Sequence, residues 1–352
     1  MLWHLWHDTR RRNPFMTHMF VVGDAQTFIR MIHMKQRDAF GYQWLIPFPG
    51  EFHFACHMIH AEYRLFWEAL LRPIAAQLGK KKIKGEHTVA EFNRHEIFYL
   101  TVVQAAWEFM EGQFPEINTR PWDVVEECKE DVSLRTLCDF LLFGAAPYLT
   151  FRRLIRMPPS KERRVLLNKI IKLYAWRHRA SHKTNYGPLC FHAMYVFESL
   201  SDELQDVWIQ VYCVSIKGHA GRNVALDHLM EKVNKAAKQM LSGNATESRI
   251  AAIVPQINVV HRVETMYDDA TSDYHFNPND TGDGDLLPDV VQIKQYLRLM
   301  MTTRDTTQPE VSAFTLQEPP LAQRPWDVVA NAQTDWAEYA ANKCADFSWA
   351  AS

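Results

Sequence analysis

Short hydrophobic runs closed by turn residues give way along the chain to longer stretches in which apolar residues recur every three or four positions. Residues 16–23 (MTHMFVVG) read as a buried strand with Asp24 at its C-terminal end. Residues 44–48 (WLIPF) read as a second strand, ended by Pro47, Pro49 and Gly50. Between them, 26–35 fits a helix. Over 51–71, Phe52, Cys56, Ile59, Tyr63, Phe66 and Leu70 form one apolar helical face. An exposed turn carrying Lys80, Lys81, Lys82 and Lys84 follows. Further helices are predicted over 88–111 (with Gly112 as its stop), 125–143, 162–179, 187–200, 202–214, 223–241 (with Asn223 as its cap), 248–262 and 290–301. Pro158 and Pro159 break the pattern in between.

The implied fold class is α/β, predominantly helical. It divides into an N-terminal extension (1–15), a body of short strands and then helices (16–265), and a tail (266–352) that is acidic and then rich in Thr, Pro and Gln. Such a tail is expected to be peripheral and partly disordered.

Composition narrows the classes. The chain has 352 residues, 47% of them hydrophobic, which is enough to bury a sizeable core and too many for a disordered protein. The formal net charge of -2 gives no global attraction for nucleic acid, but the charge is unevenly spread. Residues 152–183 hold 11 Lys and Arg against one acid, Glu162, whereas 264–289 hold eight acids and no Lys or Arg. The six cysteines form no CxxC pair, which points to reduced thiols and an intracellular setting. The first residues lack the charge-then-hydrophobe order of a signal peptide, and no uncharged apolar run approaches the length of a membrane span.

Four places could carry chemistry. A carboxylate leaving a strand after a glycine, as Asp24 does, can reach a crevice and ligate a hard divalent cation such as Mg2+ or Mn2+; it can equally cap the helix that follows. The segment EFHFACHMIH (51–60) places His53, Cys56, His57 and His60 near one helical face. These are Zn2+ ligand types, although HExxH and the known finger spacings are absent. The alternatives are histidines acting as bases or phosphate contacts, and a packed helix whose histidines bond internally. In GHAGRNVALDHLMEKVNKAAK (218–238), Asp227 and Glu231 share a polar stripe at i,i+4. Their repulsion calls for a nearby cation: Arg222, Lys238 or a metal shared with Asp24. The plainer reading of this stripe is an exposed amphipathic helix. In the basic stretch, Arg152, Arg153, Arg156, Arg163, Arg164, Arg177 and Arg179 suit forked phosphate contacts, with a solvated face as the plainer reading. No GxxxxGK[ST] and no GxGxxG opening a helix is present.

Four segments together resemble a known family: VVGDAQTF (21–28), WLIPFPGEFHF (44–54), HKTNYG (182–187) and GHAGRNVALDHLMEKVNK (218–235). Over about 16–265 the chain is similar to the domain-of-unknown-function family numbered 6589, which is eukaryotic and found in transposon-derived proteins. The resemblance implies a divergent or truncated RNase H-like sheet with a large helical insertion. It implies a transposase-like or nuclease-like protein acting on DNA in the nucleus, with no membrane partner. Asp24 would then be a strand carboxylate, His53 would lie near the site, and Glu231, or alternatively Asp227, would be the helix acid. Asn185 and Tyr186 match an Asn-Tyr pair of the family. The chain begins about fifteen residues before the VVGD strand, so the leading strand and its aspartate are expected to be missing. That expectation leaves open an active site, a degenerate metal-dependent phosphoryl-transfer site, a non-catalytic nucleic-acid or protein-binding remnant, and a helical scaffold holding a structural zinc.

Overall fold

The computed structural model describes residues 2–180, 196–215, 222–240, 246–249, 251–252 and 287–302. The motif 182–187, with Asn185 and Tyr186, lies outside these residues, as do most of the helices predicted over 187–200 and 248–262.

The first helix, α1 (Leu2–Arg12), falls where the sequence suggested only an extension. It is held by Trp6, whose indole stacks flat on Trp44 with centroids 4.7 Å apart. The predicted strands form as β1 (Met19–Gly23) and β2 (Leu45–Pro49), joined by α2 (Ala25–Arg37). They pair in parallel from Met19 opposite Leu45 to Gly23 opposite Pro49. Pro47 and Pro49 lack a ladder donor, which a two-stranded sheet tolerates. Among the described residues the other sheet is a short antiparallel pair, β3 (Cys213–Val214) with β4 (Val224–Ala225). The fold is thus α/β and predominantly helical.

The core is organised around α3 (Glu51–Phe66), of which one side chain after another is buried: Phe54, Met58, Ile59, Tyr63 and Phe66. A π-helical turn, Trp67–Leu71, carries it into α4 (Arg72–Gln77). Lysine-rich turns lead to α5 (Phe92–Gln113), which runs through Gly112 rather than stopping there. After α6 (Pro121–Glu127) come α7 (Val132–Cys138), a second π-helical stretch (Asp139–Ala145) and α8 (Ala146–Arg156). The single helix predicted over 125–143 is therefore broken before Val132, where Asp131 caps the new start by accepting from Ser133 N and Leu134 N. Both π stretches end just before a proline, Pro73 and Pro147. A proline has no N–H and its ring crowds the carbonyl four residues back, so a widened turn lets each helix continue.

The run Val132–Arg156 is long and apolar enough to cross a membrane by length and composition, contrary to the sequence expectation. In the structure its Phe140, Leu141, Phe143, Tyr148 and Phe151 are buried in the protein core, where a central helix acquires the same composition.

Beyond the Pro158–Pro159 break, α9 (Lys161–Ala180) packs on α3 and α8. Next comes α10 (Asp202–Val211), shorter than the helix predicted over 202–214 because Cys213 and Val214 become β3. Trp208 of α10 covers the parallel pair, stacking on Phe48 at 3.9 Å and lying 5.3 Å from Phe20. The helix predicted over 223–241 is α11 (Leu226–Met240). Asn223 is not its cap; its amide donates to the carbonyls of Arg156 (3.3 Å) and Met157 (2.6 Å), satisfying the C-terminal end of α8. Within the tail, α12 (Leu287–Thr302) docks on α5 through Val290, Ile293 and Leu297. Ion pairs Lys80–Asp289 and Lys294–Glu108, each 2.8 Å, flank that contact.

Candidate functional site

The C-terminal ends of β1 and β2 and the first turns of α3 and α11 meet at one point. Gly50 N donates to Gly23 O at 2.8 Å, tying the two strand ends together. Gly50 then starts α3 without a side chain to cap it. The missing cap comes from Asp227 on α11. One of its oxygens accepts from Phe52 N at 3.1 Å; the other accepts from His53 N at 2.9 Å and lies 3.0 Å from His53 Nδ1. A carboxylate at the positive end of a helix, facing its orphan amides, is the favourable arrangement for that charge. It explains the glycine in PGEFH: a Cβ on Gly50 would lie 2.0 Å from the Asp227 Oδ2.

With Nδ1–H given to Asp227, the Nε2 of His53 points toward Glu231 Oε1, 3.8 Å away. The His53 and Asp227 side chains are only 11% and 5% exposed, whereas Glu231 is 40% exposed. Burial by itself favours neutral His53, but the hydrogen bond and charge of Asp227, then Glu231 and Asp24, raise its pKa above the ordinary value. Both acids of the α11 stripe thus face the His53 ring and favour its protonated form against burial.

Asp24 takes the capping role that the sequence left open. Its Oδ1 accepts from Thr27 N at 2.7 Å at the start of α2. Burial pushes its carboxyl up, and the Thr27 backbone and hydroxyl, helped by the charges of His53 and Arg30, more than reverse that and hold it below the usual range. Asp24 therefore lies within the field of His53 as well as capping α2.

The histidine cluster divides. His53 turns to the carboxylates, while His57 and His60 turn toward residues that the sequence did not single out. The His57 and His60 rings are 6.5 Å apart, His60 is 5.0 Å from His87, and His87 stacks on His95 at 4.4 Å. Burial, followed by charged neighbours, lowers the pKa of His57 and of His87 to about 3, and burial lowers those of His60 and His95. His95 sits between Glu91 O (3.0 Å from Nδ1) and Lys84 N (3.2 Å from Nε2), which suits a neutral ring. Cys56 is buried in the core, and burial raises its thiol well above the ordinary value. The four residues named for zinc therefore do not converge on one point. Among the described residues no group of three or more His, Cys, Asp and Glu side chains is placed to hold a metal ion.

The basic stretch also divides. Arg163 and Arg164 are buried, each 3% exposed, so they line the core rather than a phosphate-binding face. Arg163 donates to Ile155 O at 2.9 Å and to Met157 O, and reaches the Cys213 sulfur at 3.0 Å. Arg164 pairs with buried Glu51 at 2.8 Å and lies over the rings of Phe197, Tyr212 and Trp208. Burial favours protonated Glu51, and Arg164 works against this; the net shift is upward. Arg152 meets buried Glu96 at 3.1 Å. Arg153 is exposed and Arg156 partly so, while the side chains of Arg177 and Arg179 lie outside the described residues.

A cavity of about 810 Å³ opens beside this site. Glu231 stands at its edge toward His53, and Phe52, Phe92, Tyr148, Arg152, His228, Lys232 and Lys235 are among its walls. Phe52 and His228 stack with centroids 4.3 Å apart and planes within 7°.

Fold and site together define a predominantly helical α/β protein with an Asp–His pair set at the ends of two parallel strands. The model of a family of unknown function (DUF6589) matches residues 166–275, so this segment is similar to the family that the sequence resembles. The matched span includes the motifs at 182–187 and 218–235, with Asp227 and Glu231; those at 21–28 and 44–54 lie before it. No curated protein and no solved structure matches the chain.

Proposed function

We propose that the chain is a transposon-derived, RNase H-like protein of eukaryotic origin that engages DNA in the nucleus, and that its metal-dependent phosphoryl-transfer site is degenerate. The observation that carries this reading is the engagement of Asp227, whose two oxygens both accept from Phe52 N–H and the N–H groups of His53. Two-metal phosphoryl transfer needs carboxylate oxygens free to hold ions about 4 Å apart. Both Asp227 oxygens are already engaged by N–H donors, and Asp24 gives one oxygen to Thr27 N. This donor set does not fit a pair of divalent ions. Asp24 and Glu231 are the carboxylates of the group with oxygens left for Mg2+ or Mn2+, and the His53 ring, whose pKa these acids help to raise, lies 3.8 Å from Glu231.

Contact with DNA would fall to cations at exposed or partly exposed positions: Arg153 and Arg156, Arg10, Arg11 and Arg12 at the end of α1, and Lys232 and Lys235 beside the cavity. Such contacts release counterions, so binding should weaken steeply with salt. The test is to incubate the purified chain with supercoiled and labelled duplex DNA in Mg2+ or Mn2+. The expected result is salt-sensitive binding without nicking, the same for wild type and Asp24→Ala. Metal-dependent nicking by the wild type that Asp24→Ala abolishes would overturn the degenerate-site reading. Absence of DNA binding at low salt would overturn the functional class.

A further inference from the structure

We propose that the cavity beside Glu231 is a binding site for an unpaired nucleotide of a DNA strand, with the base against the aromatic wall and the phosphate at the α11 lysines. This rests on the DNA-directed reading above and specifies the form of DNA recognised.

Three observations converge. The cavity's volume of about 810 Å³ lies in the range of pockets that enclose small organic ligands, about 300–1,000 Å³, and leaves room for a nucleotide with part of its neighbour. Its wall carries an aromatic platform one ring deep: partly exposed Phe52 lies face to face on buried His228, and Phe92 meets Phe52 edge-on with centroids 5.7 Å apart. Any base offers a π-face to such a platform, so the recognition is sequence-tolerant and requires a base freed from its own stack. The charges are separated in a way that suits a phosphate. Glu96 is buried and engaged by Tyr148 OH and Arg152, and Glu231 faces His53. Lys232, the residue after Glu231, and Lys235, one turn beyond Glu231, also line the cavity; Lys232 is half-buried and Lys235 exposed. A base seated on Phe52 would have its phosphate at these lysines. A duplex keeps its bases stacked and could offer only its backbone, so the site discriminates strand form.

Binding is read by fluorescence anisotropy of a labelled oligothymidylate and of a blunt duplex of equal length, in EDTA at low salt, with the full-length chain. The site predicts that the single strand binds at least tenfold more tightly than the duplex. Lys235→Glu, at an exposed position of α11, should weaken single-strand binding tenfold or more while leaving the thermal midpoint unchanged. Phe52→Leu keeps the backbone N–H given to Asp227 and should erase most of the preference for single strands. Thymidine monophosphate in excess should compete with the oligonucleotide and not with the duplex. Equal binding of single strand and duplex, or single-strand binding indifferent to both variants, would overturn the proposal. Duplex binding that persists in that case would leave the DNA-directed reading intact, which separates the two failures.

Discussion

Replacing Asp227 with asparagine tests the central contact with almost no change of shape. The carboxylate serves Phe52 N–H, His53 N–H and the His53 ring at distances of 3.1, 2.9 and 3.0 Å. An asparagine has one oxygen, which can accept from two of these donors, and its NH2 then faces the third. A buried donor left unserved costs about 1–3 kcal/mol, and the charge-assisted character of the remaining bonds is lost as well. The expected loss is about 3–4 kcal/mol, a large part of the 5–15 kcal/mol typical of a domain. The assay is urea unfolding near neutral pH, followed by tryptophan fluorescence, with the slope unchanged and the midpoint lowered. The titration of His53 supplies a second readout. Its pKa is raised against burial chiefly by Asp227, so in Asp227→Asn it should fall. A loss below about 1 kcal/mol, against the 1–3 kcal/mol expected for one unserved donor, together with an unmoved His53 titration, would refute the argument that this carboxylate caps α3 and charges the imidazole.

Gly50→Ala should reproduce much of the same loss, because its Cβ would fall 2.0 Å from Asp227 Oδ2; the double variant with Asp227→Asn should cost clearly less than the sum, measured by a double-mutant cycle in urea. Glu51→Gln leaves Arg164 buried without its anion and should cost about 3–5 kcal/mol by the same unfolding measurement. Acid should unfold the protein through the histidine ladder. His57 and His87 have folded pKa values near 3 against an ordinary 6.5, so below pH 6.5 the unfolded chain binds protons that the fold does not, and stability falls from there toward pH 3. By pH 5 each group costs about 2 kcal/mol at full strength, and about 1 kcal/mol once solvent screening at these partly exposed rings is allowed for. His53 works the opposite way: its raised pKa stabilises below the ordinary value, and that contribution is lost as pH rises through the folded value. Thermal melts from pH 8 to 4 should show the acid loss reduced in His87→Gln.

The elements governed by local pattern were readable from the chain. The strands at Met19–Gly23 and Leu45–Pro49 follow from apolar runs ended by glycine and proline, and α3 from its apolar spacing. The repulsion between Asp227 and Glu231, two acids at i,i+4 on one stripe, was also readable. The partner that they face was not, because His53 reaches Asp227 across 174 positions and no local spacing encodes such a meeting. For the arginines a signal was present and was outweighed by charge counting. Arg163 and Arg164 stand one turn before Leu167 and two before Ile170 and Ile171, on the face that also carries Tyr174, and all of these are buried. The apolar stripe of α9 thus runs straight through them. The ladder of His57, His60, His87 and His95 joins α3 to the turn before α5 and to α5 itself, and leaves no spacing to detect.

The cap of α3 also dictates an order of events at synthesis. The helix at the centre of the core is complete only when a residue 175 positions downstream of Phe52 reaches its first amides. Closure of so long a loop is slow, and a ribosome delivers the N-terminal strands and α3 well before α11 exists. A nascent chain stalled before residue 227 should therefore hold a frayed start of α3 and an unprotected apolar face, making it a natural client for chaperones until its distal aspartate emerges.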